Sequence, residues 1–173
     1  MNPPHLLTEA ACGLIVDTIK TNIVAQLALV RTYWADAKVT TEPPPTESYF
    51  IYPKARGYRM PAIFVEDDGT EFQQAQAEAN YIHAKMSINV SVKVEDKDQY
   101  KLMLKSWRYA SALHAILEQA NLASSDNSVK LVVKVTRIKP TSMYTIANDD
   151  ADQTAQFFKE YVLFCEVEFW ENL

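Results

Sequence analysis

The chain contains very little glycine: Gly13, Gly57 and Gly69 are the only three in 173 residues. Phosphate-binding loops and dinucleotide fingerprints need clustered glycines, because only a backbone without Cβ atoms can approach a phosphate closely. Neither motif is present in the sequence. We therefore expect the protein to lie outside the common classes of nucleotide-dependent enzyme.

Histidine and cysteine, the usual metal ligands and nucleophiles, are also scarce. His5, His83 and His114 are the three histidines, and none stands at metal-ligand spacing from another candidate ligand. Cys12 and Cys165 lie within apolar patterns, which predicts small core residues and not ligands or disulfide partners. No nucleophile elbow or orienting triad surrounds any serine or cysteine. The sequence thus predicts no metal, no organic cofactor and no enzymatic activity.

One acidic run resembles a calcium-binding loop in its spacing. Asn148, Asp150 and Asp152 occupy the first, third and fifth positions of such a loop. Gln153 stands where the loop requires glycine, and Lys159 stands where it requires glutamate. We therefore predict a solvated acidic loop, or one that pairs with basic groups of a partner.

The formal net charge of −5 argues against a protein that grips nucleic acid. Mild acidity would instead repel a DNA backbone, which suits a surface past which DNA slides without specific binding. Residues 1–5 lack the basic start of a signal peptide, and we find no uninterrupted apolar run of the roughly 20 residues that span a bilayer. We expect a protein made in the reducing host cytoplasm, with no membrane contact.

The most informative segment that is present is an alternating strand followed by an amphipathic helix. Every even position from 82 to 94 is apolar and the odd positions are mostly polar, which predicts a strand with one buried face. Asp96, with Gln99 three residues later, predicts a capping box that starts a helix over 98–121. Helical spacing then predicts one apolar stripe: Tyr100, Met103, Leu104, Trp107, Ala110, Leu113, Leu117 and Ala120.

A second helix is predicted near the start of the chain, over residues 6–34. Its apolar stripe steps by three or four residues: Leu7, Ala11, Ile15, Ile19, Ile23, Leu27, Val30 and Trp34. Core packing is the interpretation we give to both Trp34 and Trp107. Residues 1–5 before this helix are predicted to be a flexible tail, and a stiff proline-rich connector over 35–48 is predicted after it.

The remaining segments predict strands separated by polar loops. The predicted strands cover 49–52, 61–66, 81–95, 129–138 and 155–171. Asp67-Asp68-Gly69 is a turn signal that opens a long loop over 67–80, and the other predicted loops cover 121–128 and 139–154. The order helix, strand, strand, strand, helix, strand, strand predicts an α+β fold. We expect a single two-layer domain over 1–173, with a mostly antiparallel sheet packed against two helices.

This order of elements resembles the tail terminator (tail-completion, or tail-to-head joining) proteins of long-tailed bacteriophages. The resemblance runs from residue 6 to residue 170 and is one of pattern, since that family has no catalytic motif. It is carried by short sheet segments at 49–53 and 61–65, and then by the strand 86–95 that leads into the helix 98–119. Along that helix it includes Tyr100, Leu102, Trp107-Arg108-Tyr109 and Ala112-Leu113.

The resemblance implies a small α+β subunit that forms a six-membered ring on the end of the tail tube. Such a ring stops tube polymerisation and docks to the head connector, so the implied partners are further copies, a tail tube protein and a head connector or stopper protein. The implied location is the tail or neck of a virion, with DNA passing through the lumen. Residues predicted to contact subunits or partners are Asp67, Asp68, Glu71, Phe72, Asn148, Asp149, Asp150, Asp152 and Trp170.

Two strands of about fifteen residues exceed the usual length, so we expect their ends to project and to contact neighbouring subunits. Acidic residues that could line the channel are Glu66, Asp67, Asp68, Asp149, Asp150 and Asp152. Two alternatives remain open on the sequence alone. The chain could be a head-completion or stopper protein elsewhere in a phage neck, or a non-viral small α+β binding module or enzyme.

Overall fold

The computed structural model describes residues 4–35, 39–52, 57–72, 81–118, 120–125, 127–146 and 156–172. Two helices are present, α1 (Pro4–Trp34) and α2 (Gln99–Leu117). The strands are β1 (Tyr49–Phe50), β2 (Ala62–Phe72), β3 (Tyr81–Asp96), β4 (Ala120–Ala123), β5 (Val129–Pro140), β6 (Tyr144–Ile146) and β7 (Gln156–Asn172). The predicted α+β fold and the predicted order of elements are confirmed, and the short strands β4 and β6 add to that order.

All the strands belong to one seven-stranded sheet with the order β1-β2-β3-β7-β5-β4, and β6 pairs with the start of β7. The β1–β2 pair is parallel and all the other pairs are antiparallel. The two longest strands, β3 and β7, lie side by side at the centre. They pair without interruption, from Tyr81 opposite Asn172 at one end to Asp96 opposite Phe157 at the other. The sheet is therefore the mostly antiparallel one that the sequence predicts.

Both helices pack against the same face of this sheet. One buried cluster joins the α1 and α2 stripes to the inward residues of β2, β3, β5 and β7. Within β3, the even positions from Ala84 to Val94 are buried, and Ile82 is partly buried at the rim. The period-two prediction for β3 is thus confirmed, because the helices cover only the face on which the apolar side chains lie.

The two cysteines are core residues, as predicted. Cys12 is 2% exposed and Cys165 is 3% exposed, and both are free thiols. Burial raises the pKa of the Cys12 thiol to about 12, with further contributions from Asp67 and Glu66. Burial likewise raises the pKa of the Cys165 thiol to about 12, helped by Glu118. Neither thiol therefore supplies a reactive thiolate near neutral pH.

The N-cap of α2 lies two residues after the predicted one. The N-cap is Asp98, whose side chain accepts hydrogen bonds from the backbone N–H groups of Tyr100 and Lys101 at 2.9 and 3.2 Å. Asp96 is the last residue of β3 and accepts from the N–H of Asp98 at 3.0 Å. The predicted capping box was therefore wrong, because the strand continues to Asp96 and the nearer aspartate caps the helix.

The apolar stripe predicted for α2 was also partly wrong. Ala110, Leu113 and Leu117 are buried as expected, but Tyr100 is 68% exposed and Trp107 is 47% exposed. The buried face contains Leu102, Ser106, Arg108, Tyr109, Ala110, Ala112, Leu113, Ile116 and Leu117. The buried face of α2 therefore differs from the predicted apolar stripe, because it includes Arg108 and Tyr109, which hydrophobic spacing alone did not indicate.

Those two side chains fasten the proline-rich connector to the domain. Arg108 Nη1 donates to the Val39 carbonyl at 2.8 Å, and the Tyr109 hydroxyl donates to the Glu42 carbonyl. Val39 is 3% exposed and Ser48 is fully buried, so the described part of the connector, 39–48, lies against α2 and the sheet. The predicted connector has no helix or strand before β1 in that part, as its prolines require.

The predicted turn at Asp67-Asp68-Gly69 was wrong, because these residues lie inside β2. The β2–β3 register shifts between Asp67 and Gly69, which is a β-bulge. Asp67 Oδ1 accepts from the Gly69 N–H at 3.0 Å, and its carboxylate also accepts from the Thr70 hydroxyl at 3.1 Å. Gly69 has φ of +155°, a conformation that other residues rarely adopt. Turn residues thus form a bulge here, since the partner strand β3 continues past them.

The other predicted loops also changed in part. Residues 121–123 form most of β4, and residues 144–146 form β6, because β5 and β7 offer them backbone partners. The rest of the loop predicted over 67–80, residues 73–80, lies outside the described residues. Residues 147–154 of the loop predicted over 139–154 also lie outside them, as do residues 1–3 of the predicted flexible tail. The prediction of a tail was wrong for Pro4 and His5, which belong to α1.

The last turn of α1 contradicts the prediction for Trp34. The stripe from Leu7 to Leu27 is buried, but Tyr33 is 81% exposed and Trp34 is 58% exposed. By length and composition alone, Leu7–Trp34 could also cross a membrane, which the sequence argument overlooked. A single such helix near the N-terminus is a weak indication. Since its buried stripe packs on the sheet and α2, the absence of membrane contact remains our prediction.

Candidate functional site

The face of the sheet opposite the helices is charged along its centre. On β7, Glu160, Glu166 and Glu168 face this side. Each is opposite a lysine on a neighbouring strand: Lys93 with Glu160, Lys134 with Glu166 and Lys85 with Glu168. The amino group of Lys93 lies 4.0 Å from the Glu160 carboxylate. This helix-free face is therefore close to neutral at its centre, and the cross-strand pairs stabilise the sheet there.

A small aromatic cluster covers one end of the helix-free face. Phe50, Ala62 and Phe64 form a second buried group, with Tyr58 packed against it. The rings of Phe50 and Phe64 are stacked with centroids 5.1 Å apart, and the Lys93 amino group lies 4.7 Å from the Phe64 centroid. This end of the face is thus closed by the chain's own side chains.

The outer edge of the sheet at β2 is acidic. Among the described residues, β1 pairs with β2 only at Ile63 and Phe64, which leaves 65–72 as an edge. Asp67 and Asp68 lie on this edge and are exposed. Glu66 and Glu71 lie on it too, and their register partners Asn89 and Lys85 place them on the helix-free side. We call residues 65–72 the acidic edge.

A shallow groove lies beside the acidic edge on the helix-free face. Its volume is about 550 Å³, and its floor is formed by β3 and β7. Four carboxylates line it, from Asp68, Glu71, Glu166 and Glu168, together with the single basic side chain of Lys85. The acidic edge therefore continues into an acidic depression, which would favour basic groups of a partner.

The opposite edge of the sheet, at β5, is basic. Among the described residues, β4 pairs with β5 only from Lys130 to Val133, which leaves 134–140 as an edge. Lys134, Arg137 and Lys139 lie here and are exposed, and their register partners place them on the helix-free side. The Arg137 guanidinium lies 5.7 Å from the ring centroid of Phe164 on β7. We call residues 134–140 the basic edge.

The structure brings four of the predicted contact residues together. Asp67, Asp68, Glu71 and Phe72 all lie on the acidic edge. Trp170 lies near the C-terminal end of β7, at the same end of the sheet as Phe72 but two strands away from it. Its ring stacks on His83 with centroids 5.1 Å apart and planes 7° apart. The remaining predicted contact residues lie outside the described residues: Asn148, Asp149, Asp150 and Asp152. Their proposed roles stay predictions.

Sequence reasoning missed the basic edge. Its signal was present, because Lys134 and Arg137 lie within the predicted strand 129–138 and Lys139 directly follows it. The sequence prediction gave these residues no role, since the order of the strands in the sheet was unknown. Only the sheet order shows that β5 carries an edge of opposite charge to β2.

A polar cleft of about 350 Å³ lies where the connector, the end of β3 and the start of α2 meet. Asp96 and Lys105 form an ion pair at its wall. Burial raises the pKa of Asp96, but the hydrogen bonds from Lys105 and from the Asp98 N–H outweigh it and lower that pKa. The pair fixes α2 to β3 and offers no poised general acid or base near neutral pH.

Among the residues that the structure describes, no group of three or more histidine, cysteine, aspartate or glutamate side chains could hold a metal ion. The acidic run 148–152 lies outside the described residues. Freedom from metals and cofactors therefore remains a prediction from the sequence.

No family model matches this sequence, and no curated protein matches it. Among solved structures, the chain is similar to a chain of a structure described as the virion of a native gene transfer agent (GTA) particle. The sequences are 15% identical, and the match covers 87% of this chain and 94% of that chain with a TM-score of 0.40. A similarity at that score supports no argument about fold or function, so both rest on the residues themselves.

Proposed function

We propose that this protein is a structural component of a phage-like virion, a tail terminator that forms a ring between the tail tube and the head connector. The observation that supports it is the sheet itself. Two helices cover one face in the order that resembles the tail terminator family, while two edges of opposite charge stay uncovered among the described residues. A ring subunit needs two different complementary surfaces, and the acidic edge and the basic edge would supply them.

The proposal assigns the chain assembly contacts in place of a catalytic centre. The described cleft holds an ion pair that fixes two elements, and both thiols have raised pKa values. The proposed partners are further copies of the chain, a tail tube protein and a head connector protein. Acidic side chains that are not used in subunit contacts would rim the channel and keep DNA from adhering through charge repulsion.

Imaging of particles that contain the protein tests this proposal. A ring of density for this chain at the head–tail junction, in contact with the last tube ring, is the expected result. A ring in contact only with the head connector would instead identify a stopper or head-completion protein. Density elsewhere in the particle, or a purified monomer that turns over a substrate, would contradict the structural role.

A further inference from the structure

We propose that the acidic edge of one copy pairs with the basic edge of a second copy, antiparallel and head to tail, so that the sheet continues from subunit to subunit. This inference supplies the subunit contact of the proposed ring and in that respect rests on the proposed function. It is tested on purified protein, so its failure is distinguishable from a wrong location in the virion.

The backbone of both edges is open to a further strand. Residues 65–72 of β2 and 134–140 of β5 have no partner strand on their outer side among the described residues. An edge strand presents unpaired N–H and C=O groups at its outer side, and another strand can satisfy them by β-sheet addition. The two open edges are similar in length, so each can pair with most of the other.

Strand direction allows the two edges to pair with each other. β2 is antiparallel to β3, β3 to β7 and β7 to β5, so β2 and β5 run in opposite directions. A neighbouring copy placed beside the first with the same orientation brings its β2 against this β5 with antiparallel polarity. The continued sheet therefore keeps the pairing type of the rest of the fold, and its helices stay on one side.

Charge favours the same pairing. On the helix-free side, Glu66 and Glu71 of the acidic edge are four register positions apart, and Lys139 and Lys134 of the basic edge have the same separation. One antiparallel register would therefore place Glu66 opposite Lys139 and Glu71 opposite Lys134. Opposite charges across an antiparallel pair are stabilising, whereas like charges directly opposite are destabilising.

The same charges argue against symmetric pairing. A two-fold contact through β2 would bring the carboxylates of Glu66, Asp68 and Glu71 together, and one through β5 would bring basic groups together. Each edge also has a register shift, between Asp67 and Gly69 and between Val135 and Arg137. Such bulges limit pairing with arbitrary extended chains. The acidic edge therefore pairs with the basic edge of another copy. A head-to-tail contact of this kind forms a ring when the rotation between subunits closes.

Charge reversal on each edge tests the pairing. The first variant carries Arg137→Glu with Lys139→Glu, and the second carries Glu66→Lys, Asp68→Lys and Glu71→Lys. A control, Lys97→Glu with Lys101→Glu, makes the same change in net charge as the first variant at exposed positions around the start of α2. Far-ultraviolet circular dichroism and melting establish that each variant is folded before association is compared.

Sedimentation velocity then measures self-association at low salt, from roughly 1 µM to roughly 1 mM protein. Wild type and the control should associate equally, and each edge variant alone should associate at least about tenfold more weakly, because its two edges now carry like charges. An equimolar mixture of the two edge variants should recover association, since one has two acidic edges and the other has two basic edges.

Raising the salt to about 0.5 M should weaken wild-type association, because exposed charges are screened over a Debye length of only a few ångströms. The proposal is overturned if either edge variant associates as wild type does or if the control is weakened equally. It is also overturned if the mixture fails to recover, or if wild type stays monomeric over the whole concentration range at low salt.

Discussion

The two faces of this one sheet have opposite characters. On the face under the helices, every even residue of β3 from Ala84 to Val94 is buried, and β7 contributes Leu163, Cys165, Val167 and Phe169 to the same core. The helix-free face, on the same strands, has lysines and glutamates in cross-strand register. Burial of apolar side chains dominates folding, so the covered face accounts for most of the stability.

The helix-free face and the two edges are less constrained by folding. Lysine and glutamate pairs in solvent contribute little to stability, as exposed ion pairs generally do. Their positions nonetheless give the acidic edge and the basic edge different charges on one side of the sheet. The comparison therefore separates residues that fold the chain from residues available to partners, and the following substitutions test that separation from the largest effect to the smallest.

The largest difference is expected between two neighbouring residues of β3. Val90 is fully buried, so Val90→Asp places an unpaired carboxylate in the core and should abolish soluble folding. Asn89 faces the helix-free side, opposite Glu66, so Asn89→Asp should cost less than about 1 kcal/mol. Soluble yield and urea unfolding measure both. Equal tolerance of the two changes would show that the two faces do not differ as described.

A second comparison uses two apolar residues of α2. Leu113 is fully buried, and Leu113→Ala should lower the free energy of unfolding by about 2–5 kcal/mol through loss of packing. Trp107 is 47% exposed, so Trp107→Ala should cost less than about 1.5 kcal/mol. Urea unfolding of both variants checks this. A larger loss of unfolding free energy for Trp107→Ala would indicate that Trp107 belongs to the packed face of α2, as the sequence predicted.

A third comparison uses two glycines that both have free space where a Cβ would lie. Gly69 forms the bulge of the acidic edge with φ of +155°, so Gly69→Ala should destabilise by about 1–2 kcal/mol through backbone strain. Gly13 lies in helix α1, so Gly13→Ala should stabilise by about 0.5–1 kcal/mol. Thermal unfolding should shift in opposite directions. A shift in the same direction would contradict the bulge.

The smallest expected effect concerns the ion pair between Asp96 and Lys105. The folded pKa of Asp96 is lowered, so its carboxylate stabilises the fold fully above its unfolded pKa and loses this contribution as pH falls through the folded pKa. Asp96→Asn should therefore reduce stability near pH 7 by roughly 1 kcal/mol or less and leave it nearly unchanged in strong acid. Unfolding curves from pH 7 down to about pH 2 test this. An equal loss at every pH would contradict the ionic role.

The parts of the fold that the sequence predicts well are those where one face is apolar over many residues. The bounds of β3, β7 and α1 were predicted to within two residues, because the periodicity of these elements persists over several repeats. The stripe of α2 was predicted less well, since Arg108 and Tyr109 are buried by partners in the connector, far away in sequence. Local periodicity carries no information on such long-range hydrogen bonds.

The candidate surfaces were predicted only in part for the same reason. Turn-forming residues at Asp67-Asp68-Gly69 do not reveal that β3 continues beside them and turns the segment into a bulge. β4 and β6 are too short to show a period and form only because longer strands offer partners. Which strands lie at the edges follows from the sheet order, so the opposition of acidic and basic edges becomes visible only in the folded chain.

The central claim is that the helices stabilise one face of the sheet while the two oppositely charged edges are kept for other copies of the chain. Amide hydrogen exchange tests it most directly, compared between dilute protein and its assembled state. We expect β3 and β7 to be protected in both states, and alternate amides within 65–72 and 134–140 to gain protection only on assembly. Unchanged exchange at both edges, with new protection on α1 or α2 instead, would contradict the account.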